Sequence, residues 1–348
     1  AREALRKLRK TIARVLHTGP GPIASLLRRP NIGGPLRCLR RGQGSSDEAL
    51  AELSGQGLFE LALARALPEP VDLSHLPSRL ISLARRISVP VPEGTRTARF
   101  GSGTLHFDGM PIDLEAAAWR APFRTITGST VLAMVDNNPM RMFEAHPEKG
   151  GNPIDLGGVE AGAWVESLAG SLEQIGEHLP DLRAEFDLLI DQIVPVGFDA
   201  ERHLSASYQE AIGTIYLTLH PGRMTMVEAL VHEFSHNKLN ALFELDPLLE
   251  NAFHPLFRSP VRPDPRPLHG IVLAVHAFLP VARLYERMLA ADDPLSRSRD
   301  FRERFATIIQ KNREGTEVLL ENAKPTSIGA GVFEEFRRLD AYFRELRV

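Results

Sequence analysis

His232-Glu233-Phe234-Ser235-His236 is the segment whose residue types and spacing point most directly to chemistry. On an α-helix, residues four apart differ by about 40° around the axis and about 6 Å along it, so both imidazoles face one side and reach a single metal ion. Glu233 falls about 100° from His232, at the edge of that face. A carboxylate there acts on metal-bound water, or orients something bound beside it, without being a ligand itself. Short matches to this pattern arise by chance. Here, however, it lies in an apolar stretch from Val227 to Leu242, where two unpaired histidines would be costly. The competing reading is a pair of core histidines satisfied by hydrogen bonds.

Two histidines do not close a metal site. The extended protease pattern with a glycine and a further histidine is excluded, because positions 239 and 242 are both leucine. The later glutamate of thermolysin-like sites also has no clear counterpart, since Glu250 follows His236 too soon, in an expected helix-terminal turn. Histidines are better candidates. His269 and His276 are seven apart on an expected helix, Leu268–Ala290, and so lie within about 20° of one another. His276 is central in Val272-Leu273-Ala274-Val275-His276-Ala277-Phe278, where a buried imidazole needs a partner. His269, close to Pro267, reads as capping or exposed. His254 or a carboxylate remains as a further alternative, and a hydrogen-bonded core role for His276 stays open. Three neutral imidazoles leave positions open for catalysis and suit Zn(II) or Fe(II); residue types alone do not decide between them.

The elements that must position these groups are legible in outline. The pattern predicts an α+β protein, predominantly helical, with the motif helix packed beside a small mixed or antiparallel sheet, zincin-like in local arrangement. Residues 1–90 read as an N-terminal helical region, with a helix capped at Ser46-Asp47 and a second helical stretch from Leu76 to Ile87. The Val89-Pro90-Val91-Pro92 repeat marks its end, and residues 91–348 form the α+β catalytic region, one compact unit with the N-terminal part. Strands and hairpins are expected from Thr97 to Asp136, including Thr130–Val135. A Gly-rich loop covers Glu148–Gly158, and helices follow over Glu160–Glu177 and Leu182–Ile193. The strand Gly213–Leu219 precedes the motif helix, Thr225–Phe243, and is expected to form a sheet edge able to hold an extended peptide by main-chain pairing. Helices over Phe301–Glu321 and Phe333–Leu346 complete the chain.

Composition narrows the class of function. A net charge of −3 gives no general attraction to nucleic acid or anionic membrane. The apolar run Gly270–Ala282, interrupted by His276 and Pro280, reads as too short and too polar to span a bilayer. No signal-peptide core follows the basic start. The single cysteine, Cys38, rules out a disulfide framework or a cysteine-based zinc site, and a reducing cytoplasm fits best. Flanking arginines would lower its thiol pKa if they pointed at it, but a small, partly buried apolar role is the simpler reading.

The stretch from Val231 to Leu242 resembles the H-E-x-x-H-x-K-L-x-A-L signature of a bacterial family encoded beside ribosomally made, modified peptides. Asp264-Pro265-Arg266-Pro267, then His276-Ala277-Phe278, and Val135-Asp136-Asn137-Asn138-Pro139 add to the resemblance, which covers roughly residues 30–290. It implies an Fe(II)- and 2-oxoglutarate-dependent dioxygenase that hydroxylates a side-chain β-carbon of a precursor peptide in natural-product biosynthesis, with O2 as oxidant. Iron would be held by His232, His236 and a third histidine. Such an enzyme needs a cation for the distal carboxylate of 2-oxoglutarate, and arginine offers bidentate geometry. Arg283, seven residues beyond His276 on the same face, and Arg266, in the loop entering that helix, are the candidates; Arg262 is a weaker third. Lys238 falls about 160° from His236 and is left a supporting role. Asn240, about 40° from His236, is placed to touch bound ligand or a ligand histidine. Asp136, Asn137 and Asn138, with Tyr216, are candidates to line the peptide groove; an ordinary capping turn is the alternative for the first three. A zinc metallopeptidase using Glu233 as general base, or a non-catalytic peptide-binding scaffold, remain the other readings.

Overall fold

The computed structural model describes residues 2–43, 45–143 and 150–346. Residues 144–149, which include the start of the expected Gly-rich loop, lie outside the described residues. Helices and several small sheets make an α+β protein. The chain divides into two compact units, residues 1–166 with 190–219, and residues 167–189 with 220–348. Neither limit falls near residue 90, because the strand ending there is hydrogen-bonded within the first unit.

The first unit opens with helices α1 (Arg2–Thr18), α2 (Gly21–Arg28), α3 (Pro30–Arg41) and α4 (Ser46–Leu63). Ser45 rather than Ser46 caps α4, its hydroxyl accepting from Glu48 N. Twelve of the residues of α4 are buried, among them Leu58, Phe59 and Leu61, so this helix forms the centre of the unit. Three short strands follow: β1 (Val71–Leu73), β2 (Arg79–Ser82) and β3 (Ile87–Pro90). Leu76–Ile87, read as helix, is therefore largely a hairpin. Ile81, Ile87 and Val89 are β-branched and buried, and Arg86 takes a φ of 55° at the turn. Gln56 of α4 holds this hairpin, donating to Arg79 O at 2.7 Å and accepting from Ile81 N at 2.7 Å. Next come β4 (Ala98–Gly101), β5 (Thr104–Phe107) and β6 (Met110–Pro111), which with β1 form an antiparallel sheet ordered β1-β4-β5-β6. These are the expected hairpins.

A second, mixed sheet holds β7 (Phe123–Thr127), β8 (Thr130–Ala133), β9 (Gln192–Phe198), β10 (Ser205–Ala206) and β11 (Thr214–Leu219), in the order β10-β11-β9-β8-β7. β9 runs parallel to both β8 and β11. Its N-terminal residues had read as the end of a helix, but that helix stops at Leu189 and the β-branched residues Ile193, Val194 and Val196 pair as strand. All six residues of β11 are buried. With β9 on one side and β10 on the other, β11 is an interior strand and not the expected edge, its middle residues Tyr216 and Leu217 being paired with β10. Gly157 packs under β9 at a φ of 65°, where an added Cβ would lie 2.1 Å from Phe198 N. Gly157→Ala is therefore expected to cost about 3 kcal/mol in denaturant unfolding, from backbone strain plus a clash with main chain that no rotamer relieves.

α5 (Ala161–His178) passes from the first unit into the second, which continues with α6 (Pro180–Leu189), α7 (Arg223–Leu245), α8 (Leu268–Ala290), α9 (Arg299–Asn322) and α10 (Gly329–Glu345). A two-stranded ribbon of β12 (Leu256–Phe257) and β13 (Arg266–Pro267) precedes α8. The core is helix on helix. Phe234 of α7 meets Phe186 of α6 at 5.7 Å between rings, and Tyr285 of α8 packs on Phe301 and Phe305 of α9. The Tyr285 hydroxyl donates to Glu228 of α7, which also pairs with Arg304 of α9. α8 has the expected limits, and among the described residues it is the one helix long and apolar enough to cross a membrane; 61% of that window is buried inside the protein. Ile271, Val272, Val275, Ala282 and Leu284 account for this as core.

Candidate metal centre

His232 and His236 project from the same side of α7, as their spacing requires. Their Nε2 atoms face one another at 2.9 Å, with the rings nearly perpendicular. That separation suits an N–H···N hydrogen bond. It equally suits two imidazoles bound to one ion at about 2.0–2.1 Å each. Both histidines keep partial exposure on an otherwise buried stretch, whereas Glu233 and Asn240 are 3% and 4% exposed. Asn237 anchors the turn below, donating to Glu233 O at 3.0 Å. Phe278 of α8 lies against the His232 ring at 4.6 Å.

His276 is placed on the same seam between α7 and α8. It hydrogen-bonds to the backbone of Ser235, and its Nδ1 is buried without a hydrogen-bond partner. Burial pushes its pKa down to about 4, the positive ends of His236 and Lys238 adding to the effect and the Ser235 bond opposing it. A ring so placed stays neutral, as a metal ligand must. It also lines a cavity of about 760 Å³ together with Lys238, Arg283, Leu279 and Phe336. His276 is half-buried, on the wall of this cavity.

The donor set thus fits a divalent ion at two positions, His232 and His236. The third position is not closed. Among the described residues the only trio of His, Cys, Asp or Glu ligand atoms within 4.8 Å of one another is Glu177, His178 and Asp293. His276 in its present rotamer does not form such a trio with the pair. His269 is held elsewhere, stacked near Phe243 and Phe253, and His254 is exposed beside β12.

The two arginine candidates part company. Arg266 pairs with Asp264 at 3.1 Å, as does Arg262 at 3.2 Å. Arg283 faces the cavity that His276 lines, with Glu335 as its charge neighbour. Lys238 is bound to Glu185 of α6 at 2.6 Å, away from the histidine pair as its helical phase required.

Asp136, Asn137, Asn138 and Tyr216 belong to the first unit and build a network instead of lining a groove. Tyr216 is fully buried and donates to Asp136 Oδ2 at 2.5 Å; Asn138 donates to the Tyr216 hydroxyl at 3.1 Å. Gln192 of β9 reaches Asp136 Oδ1, and Asn137 donates to Asn31 O and to Glu52. Burial raises both the Asp136 carboxyl and the Tyr216 phenol. Side chains knitted together this way have little left to offer a peptide. Tyr216→Phe should accordingly lower the stability of the first unit by about 1–3 kcal/mol in urea unfolding, by stripping a donor from a buried carboxyl. Cys38 is fully buried, beyond the partial burial expected, its thiol pushed up to about 11 by desolvation, Glu210 adding and Arg41 opposing.

The cluster at Gln174, Glu177, His178 and Asp293 went unread in the sequence. Its signal was the four-residue spacing of Gln174 and His178, the same spacing that marks the motif helix.

No protein-family model matches the chain, and no curated protein matches it in sequence.

Proposed function

We propose that the protein is an Fe(II)- and 2-oxoglutarate-dependent dioxygenase that hydroxylates a side-chain β-carbon of a ribosomally made precursor peptide, in a cytoplasm. The facing Nε2 atoms of His232 and His236 carry this reading, because two imidazole nitrogens 2.9 Å apart on a partly exposed helix face are spaced as a shared divalent ion would have them. The extended signature from Val231 to Leu242 is what directs it to iron instead of zinc.

His232 and His236 would hold the ion, and His276, neutral and with an unpartnered Nδ1, is the candidate nearest to completing the set. Iron(II) with O2 and 2-oxoglutarate supplies the oxidation: one oxygen atom enters the C–H bond, and 2-oxoglutarate leaves as succinate and CO2. The chain's own part is binding and orientation. Arg283 offers a guanidinium to the distal carboxylate within the cavity that His276 lines. Leu279 and Phe336 give that cavity apolar walls that limit water. Glu233 and Asn240, buried next to the pair on α7, orient the ligand rings or a bound group. A zincin-like local arrangement belongs to the same reading.

The test is mass spectrometry of a co-expressed precursor peptide, with succinate measured in parallel under 18O2. Gain of one labelled oxygen atom with stoichiometric succinate supports the proposal. Cleavage that ignores oxygen and follows bound zinc would replace it with a metallopeptidase using Glu233 as base. Binding without either change would leave a peptide-binding scaffold.

A further inference from the structure

Gln174 and His178 stand one turn apart on α5, with Glu177 beside them, and Asp293 approaches from the segment after α8. Asp293 Oδ1 accepts from Leu295 N at 2.8 Å, capping the short 3-10 turn Pro294–Arg297. Its Oδ2 faces both Gln174 Nε2, at 2.5 Å, and His178 Nε2, at 2.9 Å. The two nitrogens are themselves 3.1 Å apart. Three polar atoms therefore form a triangle with every edge at hydrogen-bonding distance.

Protons satisfy only two edges of that triangle at once. If His178 Nε2 carries a proton, it and Gln174 both donate to Asp293 Oδ2, and the two nitrogens stand 3.1 Å apart with no bond between them. If Nε2 is bare, it accepts from Gln174, and its lone pair faces the Asp293 carboxylate at 2.9 Å, a repulsion. One edge is left unbonded in either case. Turning the Gln174 amide over places its oxygen at the third corner, an assignment that heavy-atom positions do not distinguish. The corners are then one imidazole nitrogen and two oxygens; the two edges to the imidazole, 2.9 and 3.1 Å, are those of neighbouring ligands about 90° apart around one ion with bonds of about 2.0–2.2 Å, and the oxygen–oxygen edge would open from 2.5 Å by a few tenths of an ångström to join them. A Glu177 carboxylate oxygen lies within 4.8 Å of the His178 and Asp293 donor atoms. His178 and Asp293 side chains are 9% and 8% exposed, so water does little for the unbonded edge. The wall of the 760 Å³ cavity includes His178 and gives an ion a way in.

We infer that Gln174, Glu177, His178 and Asp293 form a second divalent-metal site, taking a first-row cation such as Zn2+ or Mn2+ through one imidazole nitrogen, one amide oxygen and two carboxylates. The mixed nitrogen and oxygen donors suit these borderline ions. The site ties α5 to the turn that follows α8, so the ion braces the helical unit. It shares no residue with the His232–His236 pair.

The experiment titrates Zn2+, then Mn2+, into the metal-free full-length chain carrying His236→Ala, which disables the motif pair. One equivalent is expected to remain bound and to raise the unfolding temperature. Adding His178→Ala removes both effects. Asp293→Asn, which retains the cap to Leu295 N, weakens binding by about tenfold or more, comparable to losing an outer partner of a metal ligand. Gln174→Glu is decisive. At a metal site it supplies a third carboxylate and tightens binding, whereas in a purely hydrogen-bonded cluster it adds repulsion and only destabilises. Circular dichroism checks that each variant is folded. The inference is overturned if the His236→Ala chain binds no ion, if His178→Ala leaves its binding unchanged, or if Gln174→Glu weakens it. Wild-type protein that binds a single ion, lost on His178→Ala but indifferent to His236→Ala, would sink the dioxygenase reading and leave this site standing.

Discussion

Replacing His236 with alanine is expected to abolish peptide hydroxylation and to remove one bound iron per chain. His232 and His236 share one face of α7 with Nε2 atoms 2.9 Å apart, so loss of either ring breaks the pair that holds the ion. Loss of an outer partner of a metal ligand already costs about 10–100-fold in affinity or activity, and loss of a ligand should exceed that range. The fold should survive. Both rings keep partial exposure, and the packing of α7 rests on Leu230, Val231, Phe234 and Leu239. His276→Ala separates two roles in one measurement. As a ligand it would lose iron like the other two; as a packing residue on the α7–α8 seam it would keep iron and lose stability. Iron stoichiometry in anaerobically loaded protein reads the difference. Full iron occupancy and wild-type turnover in His236→Ala would end the proposal.

What the sequence made legible was local, and what it hid was distant. The limits of α8 followed from Pro267 and a long, predominantly apolar pattern, and Leu268–Ala290 is the helix found. The histidine pair followed from a four-residue spacing that any α-helix converts into proximity. Lys238 was correctly turned away from His236 by helical phase, though nothing local pointed to its partner Glu185. The strand β9 was missed because Leu188, Leu189 and Ile190 carry the apolar run of α6 almost to it, with only Asp191 and Gln192 between them and Ile193. The hairpin of β2 and β3 was missed because its edge is completed by Gln56, a side chain on another element. Asp136-Asn137-Asn138 reads as a surface turn by composition. Its partners are Asn31, Glu52, Gln192 and Tyr216, between 56 and 106 residues away, and no spacing rule reaches that far. Asp293 is likewise 115 residues from His178.

The same distant partners give the first unit an expected pH dependence opposite to ordinary acid lability. Glu52, Glu60, Asp136 and Asp191 are all raised above their usual range, and desolvation is the leading cause for each. Cations and donors oppose it without overcoming it. Arg29 pairs with Asp191 at 2.5 Å and also acts on Glu60; Ser82 and Asn31 donate to Glu60; Asn137 and Gln56 donate to Glu52; Arg141 lies near Asp136. A carboxyl raised on folding is protonated in the native state at a pH where the unfolded chain has already released the proton. Stability from these groups is therefore complete below the unfolded pKa, about 4, and is lost as pH rises through each folded value. Within that window each group contributes a slope of about −1.4 kcal/mol per pH unit. The six lowered carboxyls Asp108, Glu115, Asp264, Asp292, Asp293 and Glu335 pull the other way, but five of them are exposed on the surface, where screening leaves them little weight. Glu60→Gln isolates one member, since the amide oxygen still accepts from Ser82. Both tryptophans, Trp119 and Trp164, lie in the first unit, so their fluorescence follows its unfolding in urea. The difference between wild type and Glu60→Gln should change by about 1.4 kcal/mol per pH unit across the window, the variant gaining as pH rises. Parallel pH profiles would show that Glu60 is ionised in the folded protein throughout, with Arg29 outweighing its desolvation.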